Sequence, residues 1–232
     1  VSISFAQTDL FNWRSTGQRA GAVESRRIRG MLSFEHEAFQ QGFGRIAGVD
    51  EAGRGPLAGP IVAAAVILSR PVFGLNDSKM LSHEQREVLY QELHCGQHVV
   101  GVGIISHEEI DRMGIQQANY LAMAKAIEAL HLTPDYLLVD GFRLPGVAQP
   151  ALRIVKGDQR SLSIAAASIV AKVTRDRIML ELAERYPHYG FERHKGYYTQ
   201  EHLEALERHG PCAIHRRSFA PIAQIPETAF ML

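Results

Sequence analysis

The 232-residue sequence predicts a mixed α/β fold, a β-sheet flanked by helices, and three observations carry that prediction. Short runs rich in Val, Ile and Ala occur early in the chain. Segments with helical spacing lie between and after them. Several of the apolar runs end at an acid or a glycine, as buried strands do where they meet a loop.

The elements follow in order. A short helix is expected over 32–41. A buried strand follows over 45–50, where Ile46 and Val49 lead into Asp50 and Glu51. A loop spans 51–60, and 61–68 is apolar and β-branched enough for a central strand. Ser82 caps a helix reaching Leu93, and 98–105 makes a third strand. Leu121, Ala124, Ile127 and Leu130 share one face of a helix over 116–130. Residues 136–139 and 152–155 form two short strands, and each precedes an aspartate. The final long helix, 161–185, is apolar nearly all round from Ile164 to Val173 and must be buried.

Composition sets the outer limits. At 46% apolar and 22% charged, the chain reads as one ordinary domain with a short appendage. No run approaches the ~18 consecutive apolar residues of a transmembrane helix. Cys95 and Cys212 form no Cys-x-x-Cys pair and follow no secretory signal pattern, which favours a reducing, cytoplasmic setting. The net charge is zero, yet it is unevenly spread: 46–152 carries −5 and 153–217 carries +4, with five of the eleven histidines. Such asymmetry suits a surface that meets a polyanion. Residues 1–30 show no sustained period, and Arg14, Arg19, Arg26, Arg27 and Arg29 lie among Ser15, Gly17 and Gly21. They read as a flexible N-terminal arm ahead of a domain at 31–220, with a tail at 221–232.

Four acids share one positional habit. Asp50 and Glu51 follow a strand, Asp140 follows another, and Asp158 follows a third just ahead of the buried helix. If those strands are neighbours, the carboxylates meet at one edge of the sheet, where open α/β sheets place their ligands. Carboxylates so close resist joint ionisation, and a divalent cation is the usual remedy. All-oxygen ligation selects Mg²⁺ or Mn²⁺ over zinc. Two ions roughly 3.5–4 Å apart would clamp the attacking and leaving oxygens of a phosphodiester displacement. Asp176 is as acidic, but it lies inside a helix between Arg175 and Arg177 with Lys172 one turn back, and reads as an ion-pair member. The loop from Glu51 to Pro60 holds Gly53, Gly55 and Gly59. Its glycines let backbone N–H groups approach a ligand, and Arg54 can meet a phosphate or hydroxyl.

The run from Gly48 through Asp50, Glu51, Gly53, Arg54 and Gly55 to Pro60 resembles the bacterial ribonuclease HII family. So do Asn76-Asp77-Ser78-Lys79, Leu138 to Gly141, Lys156-Gly157-Asp158, Ser163 to Asp176, and His194-Lys195-Gly196-Tyr197. These stretches fall in family order across about 31–220. The resemblance implies a ribonuclease H-like fold with a small C-terminal helical part. It implies Mg²⁺- or Mn²⁺-dependent hydrolysis of the RNA strand of RNA–DNA hybrids, and incision 5′ of single ribonucleotides embedded in duplex DNA. Cleavage would leave 3′-hydroxyl and 5′-phosphate ends.

By the same resemblance Asp50, Glu51, Asp140 and Asp158 are the metal-binding carboxylates, with Asp50 the bridge. Asp158 goes with the ion that activates water, and Glu51 and Asp140 with the ion at the leaving oxygen. Gly53, Arg54 and Gly55 would surround the ribonucleotide and detect its 2′-hydroxyl. Tyr197 would stack at the RNA-to-DNA junction. Asp77, Ser78, Lys79, Lys172, His194 and Lys195 are candidates for the phosphate backbone. Met80 and Tyr198 depart from the family pattern without touching the carboxylates. The pairing of Gly53-Arg54-Gly55 with Tyr197 speaks against ribonuclease HIII or a junction-resolving nuclease. With all four acids present, the sequence gives no reason to prefer a nucleic-acid-binding protein without catalysis. The chain is expected to act as a monomer.

One motif falls outside the family stretch. Gln7-Thr8-Asp9-Leu10-Phe11 resembles the short peptide by which bacterial repair proteins bind the replication sliding clamp; Gln7, Asp9, Leu10 and Phe11 match and Thr8 departs. Leu10 and Phe11, with Trp13 nearby, suit an apolar groove, and Gln7 a polar rim. The alternatives are that this trio folds back onto the enzyme itself, or that translation starts at Met31.

Overall fold

The structure, a computed structural model, describes residues 7, 10 and 19–226. Five strands form one sheet: β1 (Ile46–Ala52), β2 (Ile61–Ile67), β3 (Val99–Ile105), β4 (Tyr136–Asp140) and β5 (Ala151–Ile154). Their order is β3-β2-β1-β4-β5. The first three pair antiparallel and β4 and β5 join in parallel, so the sheet is mixed as expected.

Among residues 19–226 the helices are α1 (Arg19–Met31), α2 (Ser33–Gln40), α3 (His83–Cys95), α4 (His107–Met113), α5 (Ile115–Glu128), α6 (Leu162–Arg185), α7 (Phe191–His194) and α8 (Gln200–His209). Two serines followed three residues later by Gln or Glu start α3 and α4. Ser82 with Gln85 and Ser106 with Glu109 each close a reciprocal capping box. The second box is a signal in the sequence for α4, a helix not expected there.

Alternation along β2 divides the core. Ala64 and Val66 face α6, while Ile61, Ala63, Ala65 and Ile67 face α5. The small residues let α6 lie directly on the sheet. At Gly48 the approach is closest: a Cβ there would stand 2.1 Å from the backbone carbon of Ser163. Beyond the sheet, α7 and α8 bury Phe191, Ala205 and Leu206 against Met179 and Ala183 of α6 and against Leu57 and Ala58. This is the small C-terminal helical part. Ile222, in the expected tail, is buried in the same cluster, and 227–232 lie outside the described residues.

The reading of 1–30 as a flexible arm needs correcting where the structure describes it. Residues 19–31 are helical, and Ser25, Ile28 and Met31 recur at a three-residue spacing on a buried face. The intervening arginines hid that period. Arg27 reaches back to Glu24 at 2.6 Å, and Glu24 accepts from the N–H of Gly74, which ties the helix to the domain. Gln7 and Leu10 are buried as well. The Gln7 amide donates to the carbonyls of Ile46 and Leu68 and accepts from Ile46 N–H at 2.7 Å, while Leu10 joins Ile28 and Met31 in the core. Thus two of the residues expected to meet a clamp are held by the enzyme itself. Asp9, Phe11 and Trp13 lie outside the described residues.

Candidate active site

Strand order brings the four acids to one end of the sheet. Asp50 and Glu51 close β1, and Asp140 closes its parallel neighbour β4, one residue past the Val49–Val139 pair. Asp140 pairs in turn with Ile154 of β5. Four residues later Asp158 sits in a 3₁₀ turn over Gly157–Gln159. The Gly157 N–H donates to Asp140 Oδ1 at 2.5 Å, which ties the turn to the strand end.

Burial and mutual repulsion make the cluster reluctant to ionise. Burial, then the charges of Glu51 and Asp140, hold Asp50 well above the usual carboxylate range. Burial pushes Glu51 up to about 7 against the pull of Arg54. Asp140 is raised by burial, and Asp158 by burial and then by Asp77 and Asp140. Glu51 Oε2 is buried without a hydrogen-bond partner. An all-oxygen set with an unpartnered buried carboxylate oxygen fits a hard divalent cation. Among the described residues no three such groups are gathered tightly enough to enclose an ion by themselves.

Asp77, Ser78 and Lys79 border this cluster. Lys79 Nζ stands 3.7 Å from Asp158 and 3.9 Å from Asp77, with its side chain 78% exposed. Burial would raise Asp77, but bonds from Lys79 N–H and Gln159 outweigh it and hold the group low. Ser78 Oγ meets Ser168 Oγ at 2.9 Å. Lys172, by contrast, is spent on Asp176 at 2.7 Å, the ion pair expected along that helix. Both ring nitrogens of His194 are also engaged: Nε2 donates to Tyr189 O, and Nδ1 accepts from Gly196 N–H. Lys195 Nζ donates to Glu192 O. Each of these three side chains has a partner within the protein.

The glycine loop follows Glu51 without a break. Gly53 has φ 97°, and a Cβ there would stand 2.1 Å from Arg175 Nε. The Arg54 guanidinium lies 4.4 Å over the Phe142 ring and donates to Gln116 at 3.2 Å. Gly55 faces Tyr197, whose ring edge lies 3.9 Å from where its Cβ would be. The loop and the tyrosine, more than 140 positions apart in sequence, are therefore adjacent.

Two buried arginines hold this arrangement, and sequence reasoning missed them in that role. Arg175 donates to the carbonyls of Pro60, Lys195 and Ala58 at 2.9–3.1 Å. Arg216 donates to Gly59, Arg54, Gly53 and Pro60 at 2.6–3.2 Å. Burial lowers their pKa values to about 10 and about 9, so both remain cationic at neutral pH. In a trans peptide the N–H points opposite its carbonyl. With the carbonyls of Gly53 and Arg54 drawn inward, the N–H groups of Arg54 and Gly55 face outward. A signal for Arg175 exists in the buried register Ser168, Ala171, Arg175, Met179 of α6. Nothing comparable marks Arg216.

Glu35 was also missed. It is fully buried, accepts from Ser161 Oγ and Ser163 N–H, and fixes the start of α6 beside the Asp158 turn. Burial raises its pKa. A concavity of about 1060 Å³, lined by Tyr186, His188, Leu206 and Cys212, includes none of the four acids.

The profile of the ribonuclease HII family matches residues 47–222, a span that includes all four acids, the glycine loop and Tyr197. The chain belongs to the ribonuclease HII family. Ribonuclease HII of Chlamydia trachomatis serovar A is 52% identical over 91% of this chain and 96% of its own length. Among solved structures, ribonuclease H2 of Pyrococcus horikoshii superposes with a TM-score of 0.66 at 27% identity, covering 80% of this chain and 98% of that one. The ribonuclease HII of Archaeoglobus fulgidus, solved in complex with PCNA, gives 0.63 at 28% identity over 75% and 95%. The protein is thus a ribonuclease H hydrolase acting on RNA–DNA hybrids, with the mixed sheet and flanking helices of that fold. Among the described residues no helix is long and apolar enough to cross a membrane.

Proposed function

We propose that this ribonuclease HII also incises duplex DNA on the 5′ side of a single embedded ribonucleotide, leaving 3′-hydroxyl and 5′-phosphate ends, and so serves ribonucleotide removal during replication and repair. The observation that carries this reading is the closeness of the Tyr197 ring to Gly55 of the glycine loop, which follows Glu51 directly. A junction must be read at adjoining sugars, one with a 2′-hydroxyl and one without. The outward N–H groups of Arg54 and Gly55 supply donors for the first. The Tyr197 ring, 41% exposed, supplies a stacking face for the second.

Asp50, Glu51, Asp140 and Asp158 would hold two Mg²⁺ or Mn²⁺ ions, Asp50 being shared between them. Bound there, the cations would activate water and offset charge on the leaving 3′ oxygen. The chain's own groups position the scissile phosphate: Lys79 offers an exposed ammonium beside Asp158, and the loop donors fix the sugar next to it. We place the enzyme in a reducing, cytoplasmic setting, consistent with its two free thiols. The A. fulgidus complex favours a sliding clamp as partner. A clamp that engages Gln7, Leu10 and Phe11 must first draw Gln7 and Leu10 from their buried positions.

Duplex DNA with one ribonucleotide, incubated with Mg²⁺, with Mn²⁺ or with chelator, tests the proposal. A single metal-dependent nick 5′ of the ribonucleotide, with an extendable 3′ end, is expected. Cleavage confined to continuous hybrid would refute it.

A further inference from the structure

The C-terminal part buries two imidazoles that hydrolysis does not use. His202 and His215 are 0% and 1% exposed, and their Nε2 atoms lie 3.0 Å apart. The contacts around them, which include Cys212 Sγ at 3.2 Å from His215 Nδ1, admit one consistent set of bond directions. A carbonyl only accepts, so His202 Nδ1, 2.9 Å from Tyr197 O, carries a proton and donates it. The Cys212 N–H donates to His215 Nδ1 at 2.9 Å, so that nitrogen is bare. The Cys212 carbonyl lies farther from it, at 3.2 Å, and already accepts from His215's own N–H at 3.1 Å. Burial keeps both rings neutral, with pKa values lowered to about 4 and about 3. His215 must then hold its proton on Nε2 and donate to His202. One unidirectional chain results, from Cys212 N–H through His215 and His202 to the carbonyl of Tyr197.

Its two imidazoles link the two halves of the expected junction reader. At one end is the Tyr197 backbone. At the other, His215 bridges Ala58 at the foot of the glycine loop and directly precedes Arg216, which gathers that loop's carbonyls. The rings are walled in by Phe191, 5.4 Å from His202, by Tyr189, 5.2 Å from His215, and by His194, stacked on His202 at 4.6 Å. Only a planar group with a donor and an acceptor on opposite edges can occupy each link and leave no buried polar atom unpaired.

We propose that His202 and His215 are positioning residues for substrate choice: their hydrogen-bond chain sets the place of Tyr197 relative to Gly53-Arg54-Gly55 and thereby the preference for RNA–DNA junctions. The proposal rests on the reading of Tyr197 as junction reader. A Tyr197 carbonyl left without its donor frees the segment to shift, and a stacking ring displaced by a fraction of an ångström loses its register on the sugar.

Two measurements test it. In the intact protein, ring ¹⁵N chemical shifts at pH 7 should show both histidines neutral, with the proton on Nδ1 of His202 and on Nε2 of His215; the opposite tautomers overturn the chain. In kinetics, His202→Phe should lower the ratio of incision at a lone ribonucleotide to cleavage of continuous hybrid about ten-fold, the worth of one hydrogen bond. His202→Asn, which keeps a donor near the Nδ1 position, should hold that ratio within about two-fold. In a Tyr197→Ala background, His202→Phe should have no further effect on the ratio. Equal losses on both substrates, or an undiminished effect in that background, refute a positioning role. If Tyr197→Ala alone leaves the ratio unchanged, the Tyr197 reading falls and takes the proposal with it. If Tyr197→Ala lowers the ratio and His202→Phe does not, only the chain is refuted.

Discussion

Replacing Gly48 by alanine should be among the most damaging single methyl additions to this enzyme's strands. The new Cβ would stand 2.1 Å from Ser163 C, 2.3 Å from Ile164 N and 2.3 Å from Ser163 O. Ordinary contact begins near 3.4 Å, so β1 and the start of α6 must part by about 1.3 Å. All three atoms are backbone, and no rotamer change relieves the clash. Overpacking of a tight core costs ~1–3 kcal/mol or more, and this site belongs at the upper end. The displacement also falls between Asp50, two residues along β1, and Asp158, just before α6. A misplacement of about 1 Å can cost ~100-fold in rate. Urea unfolding should show at least ~3 kcal/mol lost, and nicking assays at ~10 °C, where the variant stays folded, a kcat down ~100-fold. Gly44→Ala is the control, since nothing lies within 4 Å of its added methyl. Gly48→Ala with stability within ~1 kcal/mol of wild type and kcat within three-fold would refute the argument.

Other outcomes follow from the same geometry. Asp50→Asn should lower kcat by several orders of magnitude yet raise the metal-free Tm, because it removes the most strongly perturbed charge of the cluster; it should also abolish most of the Tm gain that Mg²⁺ gives wild type. Asp176→Asn should leave kcat within about two-fold and cost under ~1 kcal/mol, as expected of one partly buried i,i+4 pair. His215 is held neutral below its unfolded pKa, so the unfolded chain takes up the proton first and stability is lost as pH falls through 6.5 toward 3. Raised carboxylates such as Glu51 act in the opposite sense, so the test is a difference: from pH 7.5 to 5.0, wild type should lose about 2 kcal/mol more than His215→Gln.

How much of this could be read from the sequence depended on whether the signal was local. Acids at the ends of apolar runs can be found one run at a time. Asp158 in a loop and Asp176 inside a helix separate on local context alone. The α1 helix escaped because its buried residues, Ser25, Ile28 and Met31, are few and set among arginines. The partners that His194 holds within the protein, the backbone of Tyr189 and Gly196, depend on how the chain folds back and could not be read locally, whereas the Lys172–Asp176 pair could. Arg175 and Arg216 were the least legible. A charged residue in an apolar register is ordinarily assigned to solvent, and only the tertiary fold supplies the carbonyls that let it stay inside.

Those two arginines have a consequence for how the enzyme meets salt. All the hydrogen bonds they make go to neutral carbonyls, and Asp176 and Asp111 act on them only through space. Mobile ions in solution cannot approach a charge that is 0–1% exposed, and the protein around it screens poorly. A chain whose net charge is zero thus keeps two fixed cations beneath the loop that bears Arg54 and Gly55. Raising ionic strength should erode the surface lysine and arginine contribution to nucleic-acid binding and leave this internal one nearly intact. Affinity plotted against salt should then level off at a residual value that belongs to the loop.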